Sequence, residues 1–100
     1  MLWYDKHILL VSKNKTMLSF ALNYLGKQGF LVDGAHDYVN ALFKMNKLQF
    51  DLVVFLDNMD KKEQDYIQDL NLQTTSNPQF LNFQGPIQEL QNRIENMNKE

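Results

Sequence analysis

Three polar residues with oxygen ligands follow the most apolar run of the chain. Asp57, Asn58 and Asp60 come directly after 51–56, and their carboxylate and amide oxygens are of the kind that hold a hard cation. Calcium-binding loops need a fixed order of oxygen ligands and a later glutamate, and this segment has neither. Aspartate and asparagine are also common turn residues. We therefore predict a turn at the end of a strand and no metal site.

Other residue types that can carry chemistry stand alone in this sequence. His7 and His36 have no second histidine, cysteine or carboxylate at a metal-binding spacing. The absence of cysteine excludes disulfides, thiolate metal sites and a cysteine nucleophile. Ser12 lacks the flanking glycines of a nucleophile elbow, and the four glycines of the chain do not form a phosphate-binding loop. We therefore predict no cofactor and no enzyme activity.

Length and charge narrow the class of protein. The chain has 100 residues, 44% of them hydrophobic, which suits a single small domain over 1–100 with a packed core. Its net charge of −2 and its single arginine, Arg93, argue against nucleic-acid binding. No apolar run reaches the roughly 20 residues that span a bilayer, and the first residues lack a signal-peptide pattern. We expect a cytoplasmic protein that binds neither nucleic acid nor membrane.

Short apolar runs alternate with segments whose apolar residues recur at helical spacing. The runs within 8–11 and 51–56 are continuously apolar, as in strands buried on both faces of a parallel sheet. The pattern predicts strands at 8–11, 30–32, 51–56 and 79–83, and helices at 15–28, from Asp37, from about Asp60 and after Pro86. Ser12 or Asn14 is expected to cap the first helix, which Gly26 and Gly29 end, and Asp37 to cap the second. The strand at 79–83 alternates polar and apolar residues, which indicates an edge.

The order of elements is βαβαβαβα, which predicts an α/β fold with a parallel sheet of about four strands and helices on both faces. Over Lys6–Asp57 the chain resembles, without gaps, the receiver domain of bacterial two-component response regulators, which has a flavodoxin-like fold. The resemblance is carried by HILLV at 7–11, Gly29-Phe30, Ala35-His36-Asp37-Tyr38, Ala41-Leu42, DLVVFL at 51–56 and, later, Gly85-Pro86-Ile87, Glu89-Leu90 and Ile94. It implies a role in signalling.

The resemblance also implies where phosphoryl chemistry would occur, and those positions are degenerate. Receivers phosphorylate an aspartate that ends the third strand, hold Mg²⁺ with two acidic residues after the first, and place a lysine before a proline near the last helix. In this sequence the acidic pair falls at Ser12 and Lys13, the acceptor at Leu56 and the lysine at Gly85. The chain from Leu56 to Gly85 is about one strand–helix unit too short for the strand that carries the family's threonine or serine. Asp57 lies one residue past the acceptor position, which turns a strand side chain to the other face.

Two groups of apolar residues are candidates for contact with a partner. The stripe on the last helix consists of Ile87, Leu90, Ile94 and Met97. Its spacing predicts packing on the sheet, although in receivers this helix often forms the dimer or partner surface. Trp3 and Tyr4 precede the first strand, where they could cover a sheet edge or lie in an interface. We expect an unidentified protein partner or a homodimer.

These observations favour a non-catalytic, receiver-like domain that acts through protein–protein interaction or dimerisation in bacterial signalling and is not phosphorylated. A first alternative is a receiver that still accepts a phosphoryl group at Asp57. A second is a small-ligand binder that uses the carboxyl ends of the strands, where open α/β sheets bind ligands. The polar residues at those ends are Ser12, Lys13, Asn14, Asp57 and Asn58.

Overall fold

The computed structural model describes residues 6–56, 61–71 and 78–97 of the chain. Strands and helices alternate within these ranges. The strands are β1 (His7–Val11), β2 (Leu31–Ala35), β3 (Leu52–Phe55) and β4 (Gln79–Asn82). The helices are α1 (Lys15–Lys27), α2 (Tyr38–Lys47), α3 (Lys61–Asn71) and α4 (Ile87–Met97). The predicted order of elements is confirmed.

The described strands form one parallel sheet in the order β2-β1-β3-β4. Val11, the last residue of β1, is paired with Ala35 of β2 and Phe55 of β3, so the carboxyl ends of these three strands lie level. β4 lies at an edge, and its residues are exposed or half-buried. The predicted four-stranded α/β fold with an edge strand near 79–83 is therefore confirmed.

The alternation of side chains along β1 and β3 divides the core into two layers. One layer contains, among others, Ile8, Leu10, Leu52 and Val54 of the strands, Leu18, Ala21 and Leu25 of α1, and Leu90 and Ile94 of α4. The other contains Leu9, Val11, Val53 and Phe55 with Ala35, Ala41, Met45 and Phe50. Because both faces of the sheet are covered, all residues of β3 and all residues of β1 after His7 are apolar and buried.

Side-chain caps define where the first two helices begin. The Asn14 Oδ1 accepts a hydrogen bond of 3.0 Å from the Met17 N–H, so Asn14, rather than Ser12, caps α1. Asp37 caps α2 as predicted, since its Oδ1 accepts a bond of 2.7 Å from the Asn40 N–H. Gly29, with φ of 100°, follows α1 in a conformation that favours glycine, whereas Gly26 lies inside the helix. The prediction that Gly26 helps to end α1 is therefore wrong.

β2 extends further than the predicted 30–32, to Ala35. Asp33 and Gly34 are poor strand formers, but pairing with β1 along its whole length holds them extended. A Cβ atom at Gly34 would lie 2.8 Å from the Leu22 Cδ1, so any other residue here would require the leucine side chains of α1 to shift. Tertiary contacts therefore override local preference in this strand.

Three of the four residues in the apolar stripe of α4 face the core. Leu90 and Ile94 are completely buried, and Ile87 is 9% exposed. These three side chains pack with α1 and the sheet, so the assignment of Ile87, Leu90 and Ile94 to an interface is wrong. The side chain of Met97, like Trp3 and Tyr4, lies outside what the structure describes. None of the described helices is long and apolar enough to cross a membrane.

Candidate functional site

The carboxyl ends of β1 and β3 bring two of the predicted positions side by side. The Ser12 N–H donates to the Ala35 carbonyl oxygen at 3.0 Å, and the Leu56 N–H donates to the Val11 carbonyl oxygen at 2.9 Å. These bonds continue the sheet by one residue beyond each strand. Ser12 and Leu56 are therefore held rigidly next to each other, and both are buried.

The buried Ser12 side chain organises the turn into α1. Its Oγ accepts a hydrogen bond of 3.0 Å from the Asn14 N–H and lies 3.3 Å from the Asn14 carbonyl oxygen. It also lies 4.0 Å from the Met17 Sδ. A buried hydroxyl that satisfies its own turn is a structural group, because its hydrogen-bonding capacity is used within the chain.

Lys13 projects from the same turn and makes an ion pair across the edge of the sheet. Its Nζ lies 2.8 Å from the Glu63 Oε1 on α3. The Lys13 side chain is 53% exposed and that of Glu63 only 20%, so the ammonium meets a largely enclosed carboxylate. The other Glu63 oxygen, Oε2, is buried and has no hydrogen-bond partner in the described part of the chain. The pair fastens the turn after β1 to the first turn of α3.

Glu63 did not emerge from the sequence as a site residue. It lies 50 positions from Lys13, and only the parallel sheet brings α3 next to the β1–α1 turn. Its position three residues into a predicted helix indicated a role within that helix rather than a distant partner. A long-range ion pair leaves no periodic signal in a single sequence.

Leu56 and Gly85 lie together, but on an apolar cavity. The cavity has a volume of about 240 Å³ and opens between α1 and the turn from β4 to α4. Met17, which contacts Ser12, also lines it. The positions aligned with the acceptor and the lysine of receivers are therefore close in space, as the resemblance implies, while their surroundings are hydrocarbon.

A second ion pair, away from this edge, holds α2 against β2. The Lys44 Nζ lies 2.8 Å from the Asp33 Oδ1 and also donates to the Gly34 carbonyl oxygen. Burial raises the pKa of Asp33, but the hydrogen bonds from Lys44 and from the Gly34 N–H outweigh burial and hold that pKa below its ordinary value. This carboxylate is therefore charged at neutral pH and serves the packing of α2.

Solved structures of receiver domains are similar to this chain over most of its length. The receiver domain of the hybrid histidine kinase CckA has a TM-score of 0.71 and 20% identity over 90% of this chain and 96% of that chain. A CheY-like receiver from Methanospirillum hungatei JF-1 has a TM-score of 0.70 and 17% identity over 94% of each chain. This chain has the receiver fold. The receiver domain of the Francisella response regulator 1452 is similar too, with a TM-score of 0.63, 19% identity and coverage of 95% of this chain and 98% of that one.

Sequence comparisons add nothing to the similarity in structure. No protein-family model matches the chain, and no curated protein matches it significantly. The identities of 20% and 17% support a shared fold, and a shared fold does not by itself imply a shared function. The receiver fold is therefore established by structure, and the function must be argued from the residues at its carboxyl edge.

A divalent cation, which the receiver fold implies, does not fit the residues after β1. Ser12 offers a hydroxyl that is engaged in its turn, and Lys13 brings a positive charge that repels a metal ion. Across residues 6–56, 61–71 and 78–97 no group of three histidine, aspartate or glutamate side chains could hold a metal. Asp57 and Asn58, together with Asp60, lie outside the described residues.

Proposed function

We propose that this chain is a non-catalytic module with the receiver fold, which acts by protein–protein contact in bacterial signalling and is not phosphorylated. The observation that carries the proposal is the ion pair between Lys13 and Glu63. Phosphoryl transfer on this fold needs carboxylates after β1 to hold a divalent cation, and the first residues there are Ser12 and Lys13. The edge of the sheet therefore supplies its own cation, which is tied to a carboxylate of α3.

The charge requirement of phosphoryl transfer supports the same proposal. Catalysis of that reaction consists mostly of positioning and of neutralising the charge on the equatorial oxygens. Lys13 is engaged by Glu63, Gly85 has no side chain to offer, and Leu56 presents hydrocarbon. A dianionic group against this apolar surface would lose hydration without gaining ion pairs, which is costly.

Exposed apolar side chains on α2 support contact with a protein. Val39 is 60% exposed and Phe43 is 57% exposed. They are four residues apart, so they share one face of the helix. The Lys47 Nζ lies 4.6 Å from the centroid of the Phe43 ring, which gives this face a charged border. Aromatic and aliphatic side chains bordered by charge are typical of partner surfaces.

The absence of phosphorylation is tested by incubating the chain with Mg²⁺ and acetyl phosphate and measuring its intact mass. We expect no gain in mass under conditions in which an active receiver domain, treated in parallel, gains one phosphoryl group. Asp57→Asn is the matched variant. A phosphoryl group that is gained by the wild-type chain and lost in Asp57→Asn would refute the proposal and establish the acceptor.

A second copy of the chain is the partner that can be tested directly. We expect the molecular mass from light scattering to rise from monomer to dimer with concentration, and Phe43→Ser to keep the chain monomeric. A wild-type chain that stays monomeric throughout would exclude the homodimer and leave a different protein as the partner.

A further inference from the structure

The cavity at the carboxyl edge is enclosed by three separate parts of the chain. Met17, Phe20 and Ala21 of α1 form one wall. Phe83 and Ile87, on either side of the turn from β4 to α4, form the opposite wall, and Leu56 after β3 closes the inner end. The volume of about 240 Å³ lies between elements that are distant in sequence. The cavity is therefore a property of the fold rather than a gap within one loop.

The chemistry of the cavity excludes charged occupants. Its lining residues carry no ionisable side chain in the part of the chain that the structure describes. Ala21, Leu56 and Phe83 are buried, so the inner surface is hydrocarbon and aromatic. Water in such a space finds few hydrogen-bond partners, so its displacement by an apolar solute makes the free energy of binding more favourable. A charged or strongly polar solute would lose its hydration on entry.

The position of the cavity in the sheet is where open α/β folds place ligands. β1 and β3 are neighbours at the centre of the sheet, and their connections lead in opposite directions, from β1 to β2 and from β3 to β4. Strand order therefore reverses between β1 and β3. A crevice forms outside the carboxyl ends at such a point. The cavity includes residues that follow each of these two strands, Met17 after β1 and Leu56 after β3.

We propose that this cavity binds a small, uncharged, mainly apolar molecule of the size of a bicyclic aromatic ring system. A dry cavity of roughly 150 Å³ is enough to hold benzene. The larger volume here leaves room for a second fused ring. The cavity is distinct from the exposed face of α2 that we propose for partner contact. An experiment can therefore refute ligand binding without refuting partner contact, and the reverse.

Two exposed residues at the open side of the cavity would be covered by a bound ligand. Phe20 is 58% exposed and Met17 is 41% exposed. The Phe20 ring is stacked near the Tyr24 ring, with centroids 6.4 Å apart, which limits its movement. The unbranched methionine can follow the shape of different ligands. Binding buries both side chains, and their apolar area contributes to affinity.

The binding of prodan, an uncharged naphthalene dye whose fluorescence rises in apolar surroundings, tests the proposal. We expect saturable binding to the wild-type chain, with a change in the chemical shift of the Met17 methyl group. Phe20→Ser removes the aromatic ring from the wall that α1 forms and should weaken binding by about fivefold or more, because apolar contact area is lost. Tyr66→Ser is the matched control, since Tyr66 is an aromatic residue on α3, 51% exposed and not among the residues that line the cavity.

Three results would overturn the proposal. The first is that the dye fails to saturate, or binds Phe20→Ser as tightly as the wild-type chain. The second is that the dye changes the chemical shifts of methyl groups in the other core layer, such as that of Met45, as strongly as that of Met17. The third is that the chain forms a dimer that Phe20→Ser dissociates, which would mean that a second copy covers the cavity. Urea midpoints of both variants, close to that of the wild-type chain, show that weaker binding does not reflect unfolding.

Discussion

Ser12 organises the turn between β1 and α1 from inside the protein. Its side chain is completely buried, and its Oγ accepts from the Asn14 N–H at 3.0 Å. Ser12→Ala would leave that partly buried N–H without its acceptor. We expect the free energy of unfolding to fall by about 1–2 kcal/mol, as measured by urea denaturation.

The matched control is Ser19→Ala. Ser19 is exposed on α1, and alanine is the better helix former. We expect its unfolding free energy to lie within about 0.5 kcal/mol of that of the wild-type chain. Equal effects of the two substitutions would show that the Ser12 hydroxyl does not support the turn.

The Asp33–Lys44 pair predicts how stability depends on pH. The pKa of Asp33 is lowered in the folded chain, so the pair stabilises the fold above the unfolded pKa of about 3.9. That contribution is lost as the pH falls through the lowered pKa. Lys44→Met removes a hydrogen bond and a positive charge that both lower the pKa of Asp33, so less stability is left to lose in acid.

Urea denaturation at neutral pH and near pH 3 measures this difference. We expect Lys44→Met to cost about 1 kcal/mol at neutral pH and distinctly less in acid. Lys15→Met, at an exposed position of α1, serves as the control and should shift both values equally. A loss for Lys44→Met that is the same at both pH values would contradict the role of the charged pair.

At the scale of the element, α4 is attached to the sheet by fully buried side chains. Ile94 has no exposed surface and packs in the same core layer as Leu25 and Leu90. Ile94→Ala should lower the free energy of unfolding by about 2–4 kcal/mol because it leaves a cavity. Asn92→Ala, on the exposed side of the helix, should change it little.

The same pair of variants separates a core helix from an interface helix. If Ile94 faced a partner, Ile94→Ala would change the molecular mass measured by light scattering and leave the stability of the monomer intact. We expect the opposite pattern, with stability reduced and mass unchanged.

The elements also differ in how readily their bounds follow from sequence. β3 and α2 lie close to their predicted positions, because continuous apolarity and an aspartate cap are local signals. The predicted end of β2 lies three residues too early, since Asp33 and Gly34 are held in the strand by pairing with β1 and by the close approach of α1. Those contacts involve residues that are not neighbours in sequence.

At the scale of the whole molecule, both core layers share the same two central strands. Leu10 faces the layer of α1 and α4, while Leu9 and Val11 face the layer of α2. Loss of β1 would therefore disrupt both layers together. We expect a single cooperative unfolding transition in urea.

Cooperativity is measured by comparing urea midpoints from three probes: the NMR methyl signal of Ile94, that of Met45 in the other core layer, and far-UV circular dichroism. All three should give the same midpoint. A lower midpoint for Met45 alone would show that α2 and its layer unfold separately, which the shared strands do not predict.

The amino-acid sequence by itself determined the class of fold and the residue types at the positions that matter for receiver chemistry. Apolar runs and helical spacing predicted four parallel strands and their helices, because these signals are local and periodic. Ser12, Lys13 and Gly85 stand where the resemblance to receivers implies two carboxylates and a lysine, and these residue types are read directly from the sequence.

Only the tertiary structure decided what the residues at these positions contact. It paired Lys13 with Glu63, buried the α4 stripe that was also considered as an interface, and brought Leu56 to the wall of an apolar cavity. Each of these depends on elements that meet across the sheet after long crossover connections. A single sequence records which residues are apolar or charged, but the distances between them arise only when the strands align.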